Sequence, residues 1–316
     1  MITGCLSRTG FAFALSALGL LAAAAAPRAT AQWTQGTPML SARTEVAVAA
    51  VGDRIYVAGG FGGARNVEIY DPQTDRWRLG ASLPERLHHA AAVSLKGKLY
   101  LVGGYGGGWD PVNSVYEYDP AADRWRALAP LPTPRGALAA AVVNGRIHAV
   151  GGTGPGRRNT PAHEVYDPGT NTWTARAPLP TPRDHLTAAA VDGKLYAIGG
   201  RIDGSYARNL DVNEAYDPAA DSWTKRAPLP TARSGIASAV LDGAILVFGG
   251  ESTRGTFDEV EAYHPGTDRW KALPAMPTAR HGLGAAVLGG RVYVISGGPT
   301  PGGSYSSVNE IYAPAP

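Results

Sequence analysis

The sequence predicts an all-β protein, a six-bladed β-propeller with four antiparallel strands in each blade. Three observations support this prediction: Gly-Gly pairs recur every 44 to 50 residues, an apolar run precedes each pair, and a strand ending in Tyr follows it. The pairs are Gly59-Gly60, Gly103-Gly104, Gly151-Gly152, Gly199-Gly200, Gly249-Gly250 and Gly297-Gly298. A period of this length built from strand-like units is typical of propellers, in which each repeat forms one blade.

Each repeat carries the signals of four strands. Apolar runs such as Ile55–Ala58 and Ile245–Phe248 predict buried strands. Turn pairs such as Asn144-Gly145 and Asp242-Gly243 precede these runs and favour the positive φ angles of a two-residue hairpin. In five repeats a Trp follows the Tyr by seven residues, which predicts a second hairpin. These pairs are Tyr70 and Trp77, Tyr118 and Trp125, Tyr166 and Trp173, Tyr216 and Trp223, and Tyr263 and Trp270.

The sixth repeat ends at Tyr312 without its Trp, and Trp33 near the start of the chain supplies the missing residue. Trp33 precedes Gly59 by 26 residues, the same interval that separates Trp77 from Gly103. We therefore expect the N-terminal strand to complete the last blade and close the ring, which removes sheet edges. The Tyr and Trp rings are expected to fill the space between adjacent blades.

Composition places the chain among globular proteins. Its 316 residues are 44% hydrophobic and 17% charged, and its 41 Gly and 25 Pro suit a protein with many tight turns. A formal net charge of +3 argues against a dedicated surface for nucleic acid or anionic membranes. The sequence predicts no membrane span, and we expect a monomer.

The first 31 residues predict a secretory signal peptide. Arg8 supplies a positive start, Phe11–Ala26 is an uncharged apolar run, and Ala29-Thr30-Ala31 is a small-x-small cleavage site. Cleavage after Ala31 would leave a single propeller domain over residues 32–316, in the periplasm or secreted. The one cysteine, Cys5, lies within the predicted signal, so the mature chain is expected to hold neither a disulfide nor a Cys-ligated metal.

These repeats resemble the kelch repeat family in the apolar run, the Gly-Gly pair, and the spaced Tyr and Trp. The resemblance extends over residues 32–316 and implies blades around a central channel, with ligands bound by the loops of one rim. A glycan, a small anionic ligand or a protein partner would then engage that rim. Galactose oxidase contains a similar propeller with copper and a Tyr–Cys crosslink, but the predicted mature chain lacks Cys. We therefore expect no cofactor.

A set of arginines follows the Trp residues by ten positions: Arg43, Arg135, Arg183, Arg233 and Arg280. One interpretation is a cationic ring at the channel mouth that gathers an anion. The other, which we favour, is structural pairing with the glutamates two residues before each Tyr. These are Glu68, Glu164, Glu214, Glu261 and Glu310. In blade two both partners are displaced together, to Arg86 and Glu117, and Tyr116 takes the place of the glutamate.

Four histidines near the start of inner strands raise the question of a metal site: His88, His89, His185 and His281. Alternate blades are expected to stand far apart around the ring, whereas Zn–N bonds are only about 2 Å long. The sequence therefore predicts no metal site, and these histidines are interpreted as surface or channel residues.

The variable loops after the Gly pairs hold the candidate ligand-binding residues. Aromatic faces and arginines in these loops suit a sugar or a carboxylate ligand. The candidates are Tyr105, Trp109, Arg157, Arg201, Tyr206, Arg254 and Tyr305. The alternative is that they are ordinary solvated loop residues.

One loop suggests catalysis. Gly250-Glu251 followed by Arg254 resembles a motif of the periplasmic N-acetylneuraminate epimerases, in which a Glu after a Gly is implicated as the base. The resemblance implies a sugar mutarotase with Glu251 as catalytic base and Arg201 holding a sugar carboxylate. The leading hypothesis is an exported binding module that uses the loop-bearing rim. The mutarotase is the second hypothesis, and a purely structural interaction domain is the third.

Overall fold

Six antiparallel sheets of four strands form the blades of a propeller in the computed structural model, which describes residues 1–5, 31–63 and 65–315. The core of the predicted signal peptide, residues 6–30, lies outside the described residues. The innermost strands of successive blades contact one another in a closed ring, the last against the first. The predicted six-bladed fold is confirmed.

The strands are given by blade, from the channel outward. Blade one contains β2 (Ala47–Val51), β3 (Arg54–Ala58), β4 (Val67–Asp71) and β5 (Arg76–Leu79). Blade two contains β6 (Ala91–Leu95), β7 (Lys98–Val102), β8 (Val115–Asp119) and β9 (Arg124–Ala127). Blade three contains β10 (Ala139–Val143), β11 (Arg146–Val150), β12 (His163–Asp167) and β13 (Thr172–Ala175).

The second half of the ring repeats this order. Blade four contains β14 (Thr187–Val191), β15 (Lys194–Ile198), β16 (Asn213–Asp217) and β17 (Ser222–Lys225). Blade five contains β18 (Ala237–Leu241), β19 (Ala244–Phe248), β22 (Val260–His264) and β23 (Arg269–Leu273). Blade six contains β24 (Gly284–Leu288), β25 (Arg291–Ile295), β26 (Asn309–Ala313) and β1 (Gln32–Gln35). Loops add the hairpin β20 (Glu251–Ser252) and β21 (Gly255–Thr256), and 3₁₀ turns at Pro155–Arg157 and Tyr206–Arg208.

The N-terminal strand closes the ring as predicted. β1 pairs antiparallel with β26, and Trp33 lies directly opposite Tyr312. The indole Nε1 of Trp33 donates a hydrogen bond to the backbone carbonyl of Pro274 in the connection that leaves blade five. β1 therefore completes the sheet of blade six and also connects that blade to the end of blade five.

All six Tyr and Trp pairs stand opposite each other on neighbouring strands, with ring centroids 4.9 to 5.3 Å apart. In blade three, Tyr166 is buried and Trp173 is half-buried. The indole of Trp173 donates to the Ala129 carbonyl in the connection from blade two, while the Tyr166 hydroxyl donates to Asn171. Asn171 in turn accepts the backbone N–H of Ala129, so each pair ties its blade to the preceding connection.

The repeated arginines are buried and paired, which confirms the structural interpretation and excludes a cationic ring at the channel mouth. Arg183 contacts Glu214 at 2.6 Å, and both side chains are fully buried. The other pairs are Arg43 with Glu68, Arg135 with Glu164, Arg233 with Glu261, and Arg280 with Glu310. A desolvated charge is stable only when it is paired in this way.

Blade two replaces this ion pair with another set of contacts. The apolar Leu87 is buried at the position of the arginine, and Tyr116 stands where the glutamate would be. The Tyr116 hydroxyl donates to Glu85 over 2.9 Å, while Arg86 is exposed. The joint displacement of Arg and Glu seen in the sequence thus reflects the loss of the whole pair.

The Gly-Gly pairs bring the chain close to the backbone of the following connection. The second glycine of Gly103-Gly104 has φ 107°, and a Cβ on Gly103 would lie 2.6 Å from the Arg135 carbonyl oxygen. A side chain on Gly103 would therefore clash with this backbone. In blade six the pair is offset by one residue, and Ser296 with φ 65° takes the first position.

No helix among residues 1–5, 31–63 and 65–315 is long and apolar enough to cross a membrane.

Candidate functional site

Six residues form a ring around the channel mouth, one directly before the inner strand of each blade. Their backbones all have φ between 51° and 65°, and each N–H donates to the carbonyl of the ring residue in the preceding blade over 2.7 to 3.1 Å. The ring residues are Glu45, His89, Ala137, His185, Gly235 and Gly282. All six line the channel, so the three large polar side chains share a space that the three small residues leave open.

A second layer of residues lies directly above this ring, where the chain leaves each Gly pair. Each of its members bridges to the residue just before the ring member of the same blade, as Arg201 does to Asp184 and Glu251 does to Ser234. The layer consists of Phe61, Tyr105, Thr153, Arg201, Glu251 and Gly298. The repeated backbone thus delivers a different side chain to the mouth from each of the first five blades, whereas Gly298 of blade six supplies none.

Arg201 is the centre of a buried network of charges. Its Nη1 contacts the Oε1 of Glu251 at 2.6 Å, and its Nη2 contacts the Nε2 of His185 at 2.8 Å. Its Nε lies 3.3 Å from the Oδ1 of Asp184, which also contacts the Nδ1 of His185 at 2.5 Å. The guanidinium packs over the Tyr206 ring, 4.6 Å from its centroid. The Nη1 and Nη2 of Arg201 therefore already donate to protein acceptors, whereas its Nε has no hydrogen-bond partner among the described residues.

The carboxylates of this network are held by several donors. Glu251 is 1% exposed, and its Oε2 accepts the Gly302 N–H over 2.9 Å. Asp184 accepts from Asn159 and from the Gly204 N–H. Although burial opposes ionisation of Asp184, its hydrogen bonds and the cations beside it outweigh burial and hold its pKa below the ordinary value.

Histidines from three blades complete the site. The imidazole rings of His89 and His185 are 4.9 Å apart, and the Nε2 of His89 lies 3.3 Å from the Oε2 of Glu45. The Nε2 of His281 lies 3.5 Å from Glu251 and 3.7 Å from Glu45. Burial lowers the pKa of His88 and holds the pKa of His89 well below its usual range, because a charged imidazole is poorly solvated there.

Two adjoining cavities open above the ring and the charged network. The first has a volume of about 230 Å³. Its polar lining residues are Glu45, His89, Arg201, Glu251 and His281. Its aromatic lining residues are Phe61, Trp109, Tyr206 and Tyr305. The second, of about 210 Å³, shares Trp109, Arg201 and Tyr206 with the first. Trp109 is 48% exposed and Tyr305 46% exposed, so aromatic rings form an open rim above a buried polar floor.

The structure brings together seven of the eight residues that the sequence predicted for the site. Five of them line the first cavity: Trp109, Arg201, Tyr206, Glu251 and Tyr305. Tyr105 and Arg157 line the second, where Tyr105 is a buried wall residue and the Arg157 guanidinium lies 5.9 Å from the Trp109 ring centroid. Arg254 is exposed on the β20–β21 hairpin and lines neither cavity.

The expectation that alternate blades hold their histidines far apart is wrong. Residues at the channel mouth lie close to the propeller axis, where blades converge, so His89 of blade two contacts His185 of blade four. Sequence analysis also missed Glu45 and Asp184. A signal was available, because Glu45, His89 and His185 occupy the ring position at which the other blades carry Ala or Gly.

Two family models match the chain. The kelch motif matches residues 42–84 and 86–132, and the KLHDC2/KLHL20/DRC7 kelch-repeats domain matches residues 130–298. The fold and these matches together define a kelch-repeat β-propeller, and the chain belongs to the kelch-repeat family.

Three individual proteins show the extent of the similarity. The chain is 40% identical to human Kelch-like protein 34 over 80 residues, which are 24% of this chain and 12% of that protein. It is 39% identical to beta-scruin of Limulus polyphemus over 77 residues, 23% of this chain and 8% of that protein. The chain thus spans about a tenth of the length of these relatives. The solved structure of YjhT superposes with a TM-score of 0.76 at 17% identity, covering 86% of this chain and 95% of that one.

Proposed function

We propose that the chain is an exported binding module that takes up a small sugar at the mouth of the propeller channel. One observation carries the proposal: the aromatic rim formed by Phe61, Trp109 and Tyr305 stands over a buried floor of carboxylates and imidazoles. Aromatic rings pack against the apolar faces of a sugar, while carboxylates and neutral imidazoles hydrogen-bond its hydroxyls. A concave pocket with few convergent polar groups is the usual form of a small-molecule site.

The charge of the floor favours a neutral sugar over an anion. Arg201 already contacts the carboxylates of Glu251 and Asp184, so a ligand carboxylate would compete with both of them for its positive charge. The carboxylate of Glu45 also borders the first cavity and would repel an anion. The hypothesis that Arg201 clamps a sugar carboxylate therefore fits this geometry less well than hydrogen bonding to sugar hydroxyls.

A thermal-shift screen of neutral monosaccharides and oligosaccharides, with N-acetylneuraminate as the anionic comparison, tests the proposal. We expect at least one neutral sugar to raise the melting temperature, since a ligand that binds only the folded state stabilises it. Trp109→Ala should abolish the shift, whereas Arg254→Ala, on the exposed hairpin, should leave it unchanged. A panel without any shift, or a shift that Trp109→Ala retains, would contradict binding at this rim.

A second function, sugar mutarotation, is supported by the Glu251 and His281 pair. The Oε2 of Glu251 and the Nε2 of His281 are 3.5 Å apart at the edge of the first cavity. A carboxylate and an imidazole in this arrangement provide a base and a proton carrier for opening and closing a sugar ring at its anomeric hydroxyl. Glu251 would be the catalytic base.

Anomer exchange measured by NMR distinguishes catalysis from binding alone. Catalytic amounts of wild-type protein should accelerate the exchange of a sugar found in the thermal-shift screen, and Glu251→Gln should abolish the acceleration while still binding. Arg254→Ala again serves as the control and should exchange at the wild-type rate. An unaccelerated wild type with measurable binding would leave the binding function and reject the mutarotase.

Export is proposed from the N-terminal sequence. Cleavage after Ala31 is compatible with the fold because β1 begins at Gln32, so the closing strand would remain whole. The intact mass of the protein recovered from the periplasm or medium should correspond to residues 32–316. A mature start beyond Trp33 would contradict the predicted site.

A further inference from the structure

The three histidines of the channel mouth all use their Nδ1 for hydrogen bonds that point away from the shared space. The Nδ1 of His185 contacts Asp184, and the Nδ1 of His281 contacts the Gly298 carbonyl at 3.1 Å. Since carboxylate and carbonyl oxygens only accept, both nitrogens carry the proton. The Nε2 of His185 lies 2.8 Å from the Nη2 of Arg201, which can only donate, so this nitrogen is an unprotonated electron-pair donor.

The same assignment holds for His89 through its neighbour His88. The Nε2 of His88 lies 2.7 Å from the Gly108 carbonyl and must be its protonated nitrogen. The Nδ1 of His88 is then an acceptor, and it lies 2.6 Å from the Nδ1 of His89, which donates to it. His89 is left with a bare Nε2 directed at the Glu45 carboxylate, 3.3 Å away.

Glu45 faces the Nε2 atoms of two of these histidines. Its Oε2 lies 3.3 Å from the Nε2 of His89, and its Oε1 lies 3.7 Å from the Nε2 of His281. No hydrogen bond among the described residues ends on this carboxylate. Two ligand atoms on a tetrahedral ion with bonds of about 2.1 Å stand roughly 3.4 Å apart, close to the 3.3 Å between Glu45 and His89.

The charge count of the network also calls for a cation. The carboxylates of Glu45, Asp184 and Glu251 carry three negative charges, and Arg201 supplies one positive charge among them. These carboxylates outnumber the one guanidinium beside them, and a divalent cation bound among them would reduce their mutual repulsion.

We propose that Glu45, His89 and His185 bind a divalent transition-metal ion of the zinc type. One ligand atom from each residue lies within 4.8 Å of the others, and two imidazoles with one carboxylate match the three-ligand sets of open zinc sites. Asp184 orients His185 from behind, as an outer-shell carboxylate orients a metal-bound histidine. Arg201 would release the Nε2 of His185 on metal binding and keep its contact with Glu251.

The remaining coordination position would face the first cavity, which Glu45 and His89 border. A water molecule or a ligand hydroxyl would occupy it. The site does not depend on the proposed sugar binding, because Glu45, His89 and His185 are all ring residues whose positions are fixed by the backbone hydrogen bonds of the ring.

Titration of the chelator-treated protein with Co²⁺ and Zn²⁺, without sugar, tests the proposal. We expect one equivalent of Co²⁺ to bind with visible absorption bands of nitrogen and oxygen ligation, and Zn²⁺ to displace it. Glu45→Gln and His89→Asn should each weaken binding at least tenfold, and Asp184→Asn by about 10- to 100-fold. His264→Ala, which removes an exposed histidine on another face, should bind as the wild type does.

The spectrum of the wild type keeps the test decisive if a variant does not fold. Two results would overturn the proposal. One is a wild-type spectrum at micromolar protein that shows nothing but hydrated Co²⁺, and the other is a folded Glu45→Gln variant that binds Co²⁺ as the wild type does. Failure of the sugar screen would leave the metal site standing, and failure of the titration would leave the sugar proposal standing.

Discussion

Replacement of Arg183 by Leu is the sharpest test of how the blades are held. The Arg183 guanidinium contacts Glu214 at 2.6 Å and donates to the carbonyls of Gly199, Ala197 and Thr181 over 2.7 to 2.8 Å. Leu would leave the Glu214 carboxylate fully buried, with only the Thr181 hydroxyl as a donor at 2.7 Å. The variant thus creates an uncompensated charge and three carbonyls without their side-chain donor.

The expected loss is large. Removing one partner of a buried ion pair costs about 3–5 kcal/mol, and each lost hydrogen bond adds roughly 1 kcal/mol where water does not replace it. We therefore expect Arg183→Leu to lower the free energy of unfolding by about 5 kcal/mol, a large part of the 5–15 kcal/mol typical of a domain.

Blade two provides the matched control. It carries Leu87, Tyr116 and Glu85 where blade four carries Arg183, Glu214 and Thr181, and it packs without the ion pair. The triple variant R183L/E214Y/T181E copies that arrangement into blade four. Because it removes the buried carboxylate together with its partner, it should recover more than half of the stability lost by R183L.

Denaturant unfolding followed by tryptophan fluorescence measures both effects through the transition midpoint and slope. A R183L variant within 1 kcal/mol of the wild type would refute the assigned role of the pair. A triple variant no more stable than R183L would show that blade two depends on something other than these three residues.

Three further predictions concern the ring, the rim and pH. Trp173→Ala should lower the free energy of unfolding by about 3 kcal/mol, because it removes an aromatic ring between blades and its hydrogen bond. Trp109→Ala should change stability little, since Trp109 is exposed at the rim. Equal losses of stability would show that Trp109 also supports the fold. Deletion of Gln32–Met39 removes the closing strand and exposes the edge of β26, so the protein should unfold or aggregate. An unchanged melting temperature of the deletion variant would contradict ring closure. Burial lowers the pKa values of His148 and His163 to about 3 and about 4, below the 6.5 of an unfolded histidine. Their contribution to stability is therefore complete above pH 6.5 and is lost as pH falls, down to about pH 4 for His163 and about pH 3 for His148. The free energy of unfolding at pH 7 and at pH 5 should differ by about 2 kcal/mol for each histidine, and H148L/H163L should lose this difference.

The repeat is the part of the protein that the sequence shows directly. Each blade uses the same apolar run, turn, Tyr and Trp, so local spacing alone predicts strand order, hairpins and ring closure by Trp33. The buried pairs were also predictable, because an Arg and a Glu at fixed offsets from aromatic landmarks recur together and are displaced together in blade two.

The site was predictable only in its loops. Aromatic and charged residues after the Gly pairs stood out as departures from the repeat, and Trp109, Arg201 and Glu251 do meet at one cavity. Arg254, which the sequence grouped with them, is exposed on the β20–β21 hairpin and lines neither cavity, because three residues along a hairpin are enough to carry a side chain into solvent.

Only the tertiary structure decided which residues meet at the axis. Glu45, His89 and His185 stand 44 and 96 residues apart along the chain, yet successive blades hydrogen-bond their backbones into one ring. The sequence by itself determined the blade, because strands, turns and inter-blade pairs depend on spacings within one repeat. Contacts across the channel depend instead on the number of blades in the ring and on the distance of each ring residue from the propeller axis. No local spacing in the sequence encodes that distance.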